Sequence, residues 1–273
     1  MHRFRYSLNS STIKPAPILE KIRIAAAVGY EAIELWHDDI DLHLAGGGTI
    51  DEVRSAVEDC GLEVPTTIFL KGWWDAEAPD YSDSMEEIRR RLDQAAAVGA
   101  PFSVASPPPW AEVDYDATAR QYHDLIELGL SRGVRPAFEY LGFAGEVNSI
   151  AKALRVIEGA GHPQAAIVID PFHDFRGGAG HDDIARLTAD QIAVSHFNDA
   201  PASPPRNEQH DPDRVMPGEG IVDLQKYLAL LAGTGYDRFL SLELFREDLW
   251  ARDPEEVARE GLQKMKMVCE AAG

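Results

Sequence analysis

The sequence predicts a (β/α)8 TIM barrel that forms a single domain over residues 1–273. Short apolar segments alternate with longer segments of helical periodicity through the whole chain, which is the element order of a parallel α/β sheet. The apolar segments end roughly 30 residues apart, the length of one strand, one helix and two short loops. Six of the helix-to-strand junctions carry a glycine, the residue that most readily takes the left-handed conformation at a helix end.

Eight apolar segments are predicted to be the strands. Several are apolar at nearly every position, as expected of strands that are buried on both faces of a parallel sheet. In chain order they span residues 4–9, 32–36, 64–70, 102–106, 135–140, 166–170, 192–197 and 239–244.

Three of the intervening segments carry start signals for helices. The signals are the pairs Thr49 with Glu52 and Ser84 with Glu87, which have the spacing of a capping box, and Asp253 followed by Pro254. Apart from His37, the acidic run 37–43 is predicted to be a solvated loop. Cys60 and Cys269 fall in helical segments without CxxC spacing, which favours two reduced core thiols over a disulfide or a metal site.

One connection breaks the regular spacing. Residues 199–220, between the seventh and eighth strands, are rich in proline and charge and show no periodicity. Loops of this length are usually functional or disordered, and barrels of this class build their active sites from the loops that follow the strands. Residues 199–220 are therefore predicted to be a loop of the functional site.

Composition excludes several classes of function. The net charge is −20, from 26 lysines and arginines against 46 aspartates and glutamates, and such a surface repels nucleic acid phosphates. The chain has no apolar run long enough to span a bilayer and no apolar leader, so we expect a soluble, cytoplasmic protein without membrane contact. The oligomeric state is left open, and a homo-oligomer is one expectation.

Polar residues at the strand ends predict a metal site. Glu139, Asp170, His196 and Glu243 each stand near the end of an apolar segment, and they come from four consecutive strands. One such residue alone is more often a structural hydrogen-bonding group, but three carboxylates and an imidazole together require a cation. Oxygen ligands with one nitrogen suit one divalent ion, Mn²⁺, Mg²⁺, Co²⁺ or Zn²⁺, and the sequence does not choose among them.

Other residues at the strand ends are candidates for substrate contact. The polar ones include Asn9, Glu34, His37 and Lys71, and the aromatic ones are Trp73, Trp74, Trp110 and Phe172. An aromatic ring there could stack on the apolar face of a bound small molecule or merely close the mouth of the barrel. His37 and Trp110 are retained as predicted substrate-binding residues.

Several motifs resemble the xylose isomerase-like barrel superfamily of sugar isomerases and epimerases, and within it the inosose (2-keto-myo-inositol) isomerases of inositol catabolism. They are FEYLG, IDPFHDF, HFNDA, DPDRVMPGEGIVDL and LSLELFREDLW, and the resemblance covers nearly the whole chain. It implies that the four residues named above bind the metal and that Glu139 and Glu243 also act as the catalytic acid and base. It further implies that His173 and Arg214 bind substrate.

The same resemblance matches Asp211 to an acidic residue at the start of the DxDR stretch. Glu219 lies in the PGEG turn, whose glycines are expected to shape the loop, and a structural role for Glu219 is weighed equally with a functional one. The small-molecule partner implied is a sugar or a cyclic polyol.

The implied reaction is proton transfer through an enediolate, which a divalent cation stabilises as a Lewis acid. The favoured activity is isomerisation of a keto-polyol such as 2-keto-myo-inositol. Three alternatives stay open: a 3-epimerase of a free ketose, a dehydratase that eliminates a β-hydroxyl from a keto-polyol, and a sugar-binding barrel without catalysis.

Overall fold

The computed structural model describes residues 4–272, so residues 1–3 and 273 of the predicted domain lie outside this description. Eight parallel strands form a closed barrel in which each strand pairs with its neighbours in the sequence, and β1 pairs with β8. The strands are β1 (Arg5–Asn9), β2 (Ala32–Trp36), β3 (Thr66–Leu70), β4 (Phe102–Ala105), β5 (Arg135–Glu139), β6 (Ala166–Ile169), β7 (Ile192–Phe197) and β8 (Phe239–Leu242). The predicted barrel is confirmed, and every predicted strand segment contains one of these strands.

Helices surround the barrel. They are α1 (Ile18–Val28), α2 (His37–Ala45), α3 (Ile50–Asp59), α4 (Tyr81–Ala97), α5 (Tyr115–Leu130), α6 (Ile150–Ala160), α7 (Pro171–Gly177), α8 (Leu224–Gly233), α9 (Glu247–Trp250) and α10 (Pro254–Ala272). Five short 3-10 helices lie in the connections, at Ser10–Ile13, Asp182–Arg186, Ala189–Gln191, Arg206–Glu208 and Asp211–Asp213. Within residues 4–272, no helix combines the length and the apolar character needed to cross a bilayer.

Two of the three predicted helix starts are confirmed. Thr49 and Glu52 form the capping box of α3. Asp253 accepts hydrogen bonds from the first free amides of α10, which begins at Pro254.

The prediction that a helix starts at Ser84 is wrong. Helix α4 begins at Tyr81, and the amide of Ser84 already donates to the carbonyl of Asp80. The carboxylate of Glu87 accepts from Arg90 and Arg91 and is therefore not available as a cap.

The prediction of a loop at residues 37–43 is also wrong, because α2 begins directly after β2. Ile40 is fully buried, and Leu44, one helical turn later, packs against the same core. Asp38 and Asp39 occupy the first turn, where acidic side chains stabilise a helix. The charges that suggested a solvated loop are thus compatible with a helix.

Both cysteines are free, as predicted. Cys60 follows α3 and Cys269 lies in α10, and both are only partly buried, so neither belongs to the fully buried core.

Two apolar clusters hold the barrel together. The larger lies between the strands and the surrounding helices. The smaller fills the inside of the barrel and includes Phe102 and Phe239, the first residues of β4 and β8. These rings occupy the amino-terminal end of the interior, and the buried acidic side chains lie toward the carboxyl ends of the strands.

Candidate metal centre

Glu139, Asp170, His196 and Glu243 meet at the carboxyl ends of four adjacent strands and are called the four-residue cluster below. Each offers a ligand atom, these atoms all lie within 4.8 Å of one another, and all four residues are buried. Glu139 pairs with the β6 residue two positions before Asp170, and His196 pairs with the β8 residue two positions before Glu243. Since residues two apart in a strand share a face, all four side chains point into the barrel.

The geometry of the four-residue cluster fits a divalent cation. Nδ1 of His196 lies 3.0 Å from Oε1 of Glu139 and 3.0 Å from Oε2 of Glu243. Neither contact has the angles of a hydrogen bond, and the nitrogen is left without a hydrogen-bond partner. Neighbouring ligands of an octahedral ion with bonds of about 2.1 Å lie about 3.0 Å apart. The side chains are therefore spaced as ligands around an ion.

The electrostatics of the cluster also call for a cation. Burial raises the pKa of Glu139 to about 7, and the carboxylates of Glu243 and Asp170 act in the same direction against the opposing effect of His196. Burial lowers the affinity of the His196 imidazole for a proton, but Glu243, Glu34 and Glu139 outweigh it and raise the pKa of His196 well above its ordinary value. The direction at His196 reports a buried excess of negative charge around its ring.

Arg214 is buried beside the cluster and joins it to the loop 199–220. Its Nη1 donates to Glu243 and lies 3.1 Å from Oδ2 of Asp170. Its Nη2 contacts Oδ1 of Asp211 at 2.7 Å and Nε2 of His173 at 3.0 Å. Three carboxylates therefore share one guanidinium.

Asp170 owes its ionised state to these neighbours. Burial opposes its charge, but Arg214, His173 and His196 lower its pKa well below the usual range. It is also the N-cap of α7, with Oδ1 accepting from the amide of Phe172 at 2.7 Å. The helix start therefore fixes one oxygen and leaves Oδ2 for the cluster.

A cavity of about 140 Å³ adjoins the cluster. Glu139 and Glu243 line it, as do the predicted substrate residues His173 and Arg214, together with Asp211, Trp36, Phe69, Leu141 and Phe245.

The sequence analysis missed the aromatic wall of this cavity, which is formed by Trp36, Phe69 and Phe245. Trp36 packs edge-on against Phe69 and Phe245, with ring centroids 5.8 Å and 5.6 Å apart. All three stand at or near the end of a strand, which is the same criterion that predicted the acidic residues of the site.

A second cavity, of about 710 Å³, opens at the amino-terminal end of the barrel beside Phe102 and Phe239. Barrels of this architecture place their catalytic groups at the carboxyl ends of the strands. The smaller cavity, which touches the four-residue cluster, is therefore the candidate active site.

Two predicted substrate residues do not join this site. His37 is fully buried behind the sheet, with Nδ1 2.9 Å from Gln94 and Nε2 3.4 Å from Ser103, so both ring nitrogens have structural partners. Trp110 is 41% exposed and does not line the cavity; its ring packs against Trp74, with centroids 6.4 Å apart. A position just after a strand does not by itself place a side chain in the mouth of the barrel.

Glu219 forms an ion pair outside the cavity, and the glycines of its turn shape the loop. Oε1 of Glu219 lies 2.9 Å from Nζ of Lys264 on α10, away from the cavity. The glycines shape the loop as expected: Gly218 has a φ of +83°, and a Cβ at Gly220 would lie 2.2 Å from the carbonyl oxygen of Ala200.

Comparison with known proteins gives a consistent set of relatives. The sequence model of a family described as "Xylose isomerase-like TIM barrel" matches residues 22–268. An inosose isomerase of Halalkalibacterium halodurans is 23% identical over 256 residues, which is 92% of this chain and 90% of that protein. A 3-dehydroshikimate dehydratase of Pseudomonas putida is 25% identical over 253 residues, which is 90% of this chain but 39% of that protein.

A solved structure shows the same fold. The crystal structure of IOLI protein with a zinc atom aligns with a TM-score of 0.91 at 19% identity, covering 98% of this chain and 99% of that one.

Proposed function

Because the chain belongs to the xylose isomerase-like TIM barrel family, we propose that it is a divalent-metal-dependent isomerase of a neutral keto-polyol such as 2-keto-myo-inositol. The observation that carries this proposal is the buried four-residue cluster beside a small cavity. The similarity to an inosose isomerase along most of both chains supports the choice of substrate class.

The four-residue cluster would hold the ion. A divalent cation bound there supplies Lewis-acid stabilisation of the negative charge that develops on a substrate oxygen. Three carboxylates and one imidazole accept Mn²⁺, Mg²⁺, Co²⁺ or Zn²⁺. The zinc atom in the IOLI protein structure supports a divalent ion in this family.

Glu139 and Glu243 are the proposed proton-transfer pair. Both reach the cavity, whereas Asp170 and His196 lie behind its surface. A carboxylate within reach of the carbon next to a ketone can remove a proton, and the second carboxylate can return one to the neighbouring carbon. Arg214 donates to Glu243 and makes no such contact with Glu139.

His173 and Arg214 are proposed to orient the substrate. Burial lowers the pKa of His173 to about 4, so its ring is neutral at pH 7. Nε2 of His173 accepts from Arg214, which leaves the hydrogen on Nδ1, a buried atom with no partner among the described residues. A substrate hydroxyl is the kind of group that could satisfy such a donor.

The charge of the cavity favours a neutral substrate over a carboxylate. Arg214 is the one cationic side chain among the described residues that line it, and its guanidinium already contacts Glu243, Asp170 and Asp211. Apart from the proposed metal ion, a carboxylate such as 3-dehydroshikimate would therefore enter next to Glu139 and Asp211 without a free cationic side chain to pair with. The volume, below the roughly 300 Å³ typical of the smallest drug-sized pockets, suits one small polyol.

Proton NMR in D₂O tests the proposal, with the magnesium-loaded protein and 2-keto-myo-inositol as substrate. We expect an isomeric keto-inositol that carries deuterium at the exchanged carbon. The variant Glu219→Gln changes a glutamate outside the cavity, and it should give the same product as the wild-type protein. An unchanged substrate spectrum with the wild-type protein would contradict isomerisation of this compound.

A dehydratase is the second candidate, because a 3-dehydroshikimate dehydratase matches 90% of the chain. Loss of a β-hydroxyl after the same proton abstraction would release water. Mass spectrometry of the product separates the two reactions, since isomerisation conserves the mass apart from exchanged deuterium and dehydration lowers it by one water.

A further inference from the structure

A fifth carboxylate lies behind the four-residue cluster. Glu34, on β2, is completely buried, and its Oε2 is 3.5 Å from Nε2 of His196. The cluster faces the other nitrogen of this ring, Nδ1. His196 is thus placed between the proposed metal centre on one side and Glu34 on the other.

We infer that Glu34 is a positioning residue that accepts the Nε2 hydrogen of His196 and so directs the Nδ1 lone pair toward the cation. This inference rests on the proposed function only in assuming that the four-residue cluster binds a divalent ion. Histidine ligands of metal ions usually donate their second N–H to a carboxylate, a carbonyl or a water, which fixes the tautomer and the ring orientation.

The tautomer matters because only one of the two neutral forms of the ring leaves the Nδ1 lone pair free for a metal ion. A hydrogen on Nδ1 would point among the oxygens of Glu139 and Glu243 and block the lone pair that a metal ion needs. A hydrogen on Nε2 points toward Glu34. Nε2 has no hydrogen-bond partner among the described residues, and Glu34 is the carboxylate within ion-pair distance of it.

Glu34 is itself held in place. The hydroxyl of Thr66 donates to Oε1, and Nδ2 of Asn9 lies 3.3 Å from Oε2. The amide of Asn9 has a defined orientation, since its Oδ1 accepts from the indole of Trp36 at 2.8 Å. Nδ2 of Asn9 also donates to Oε1 of Glu243 at 3.0 Å, so one amide links Glu34 to the cluster. A carboxylate fixed by two donors can in turn fix a histidine ring.

The wild-type protein provides the first test. Long-range proton–nitrogen NMR of the zinc-loaded protein distinguishes the two imidazole tautomers, and comparison with His196→Gln assigns the His196 signals. We expect the hydrogen on Nε2 and zinc on Nδ1. A hydrogen on Nδ1 in the zinc-loaded protein would overturn the inference, and so would a failure of the wild-type protein to bind zinc.

Glu34→Gln provides the second test, with Glu219→Gln as the matched control. The glutamine keeps the size of the side chain and an oxygen for Thr66, but it places an NH2 group, which is a donor, opposite Nε2 of His196. We expect zinc affinity, measured by competition with a chelator, to fall 10- to 100-fold in Glu34→Gln and to stay unchanged in Glu219→Gln. Equal affinity in the two variants would overturn the role of Glu34.

Neither measurement uses a substrate, so the two proposals fail separately. A protein that binds zinc through Nδ1 and loses affinity in Glu34→Gln, yet leaves 2-keto-myo-inositol unchanged, would overturn the proposed reaction and retain the role of Glu34.

Discussion

Burying several acidic side chains around one imidazole is unfavourable unless positive charge compensates them. Arg214 supplies part of this charge through its contacts with Glu243 and Asp170. Removing one partner of a buried ion pair typically costs about 3–5 kcal/mol, because the remaining charge stays buried without compensation. The metal-free protein should therefore depend on Arg214 more than the metal-loaded protein does.

We predict that Arg214→Met lowers the free energy of unfolding of the metal-free protein by about 3–5 kcal/mol, and that added zinc restores part of the loss. Urea denaturation with and without chelator measures both effects. Arg90→Met is the control, since Arg90 forms exposed ion pairs that are worth about 0–1 kcal/mol. A similar small loss in both variants would show that Arg214 does not compensate the cluster.

Two of the three carboxylates in the cluster should act directly in turnover. Glu139 and Glu243 line the cavity, so we predict that Glu139→Gln and Glu243→Gln each lower kcat by about 10²- to 10⁴-fold, the usual contribution of a general acid or base. Initial rates of isomerisation measure the loss. Glu219→Gln should leave kcat unchanged, and wild-type rates in either cluster variant would remove that residue from the proton-transfer pair.

At the scale of elements, the loop 199–220 depends on one buried carboxylate. Oδ1 of Asp199 accepts from the amides of Ala200 and Val222, at 2.8 Å and 3.0 Å. Oδ2 accepts from those of Gly218 and Gly220, at 3.1 Å and 3.0 Å. The backbone of Asp199 also pairs with Val215, the residue after Arg214. The strand that carries His196 is thereby tied to the segment that carries Arg214.

We predict that Asp199→Asn destabilises the protein by about 1–3 kcal/mol, because the amide group would face backbone N–H groups that it cannot satisfy. Hydrogen exchange should accelerate at Gly218, Gly220 and Val222, while the strands of the barrel stay protected. Asp237→Asn, at an exposed position, should change neither quantity. Unchanged exchange in Asp199→Asn would mean that other contacts hold the loop.

A strand or helix could be predicted from the sequence where a single pattern of apolar or polar residues was enough to determine it. Strand apolarity located all eight strands. The start of α4 was misplaced because Ser84 and Glu87 have capping-box spacing. The sequence does not show that the Glu87 carboxylate accepts hydrogen bonds from Arg90 and Arg91 instead. Helix α2 was missed because its charged residues outnumber Ile40 and Leu44, the two that contact the core.

The site was predictable where the barrel itself brings residues together. Strand order and alternation are enough to make Glu139 and His196 converge. Contacts that depend on ring orientation or on the path of a loop could not be derived in this way. The aromatic wall, the position of Glu34 behind His196 and the exclusion of His37 from the cavity all belong to this second group.

For the whole molecule, metal binding and folding should be coupled. The four residues of the cluster come from β5, β6, β7 and β8 or from the residues just after them, and the unfolded chain does not bring them together. A ligand that binds only the folded state adds about 2.7 kcal/mol of stability when its free concentration is 100 times Kd. For a chain of this size that corresponds to roughly 5 °C in Tm.

We therefore predict that removal of divalent ions with a chelator lowers Tm by roughly 5 °C, and that zinc or manganese restores it. Asp170→Asn should abolish this response, because the amide keeps the N-cap oxygen for α7 but replaces a charged ligand. Glu219→Gln should respond to the metal as the wild-type protein does. Calorimetry of the three proteins with and without chelator makes the comparison, and a wild-type Tm that is independent of divalent ions would contradict a metal centre at the four-residue cluster.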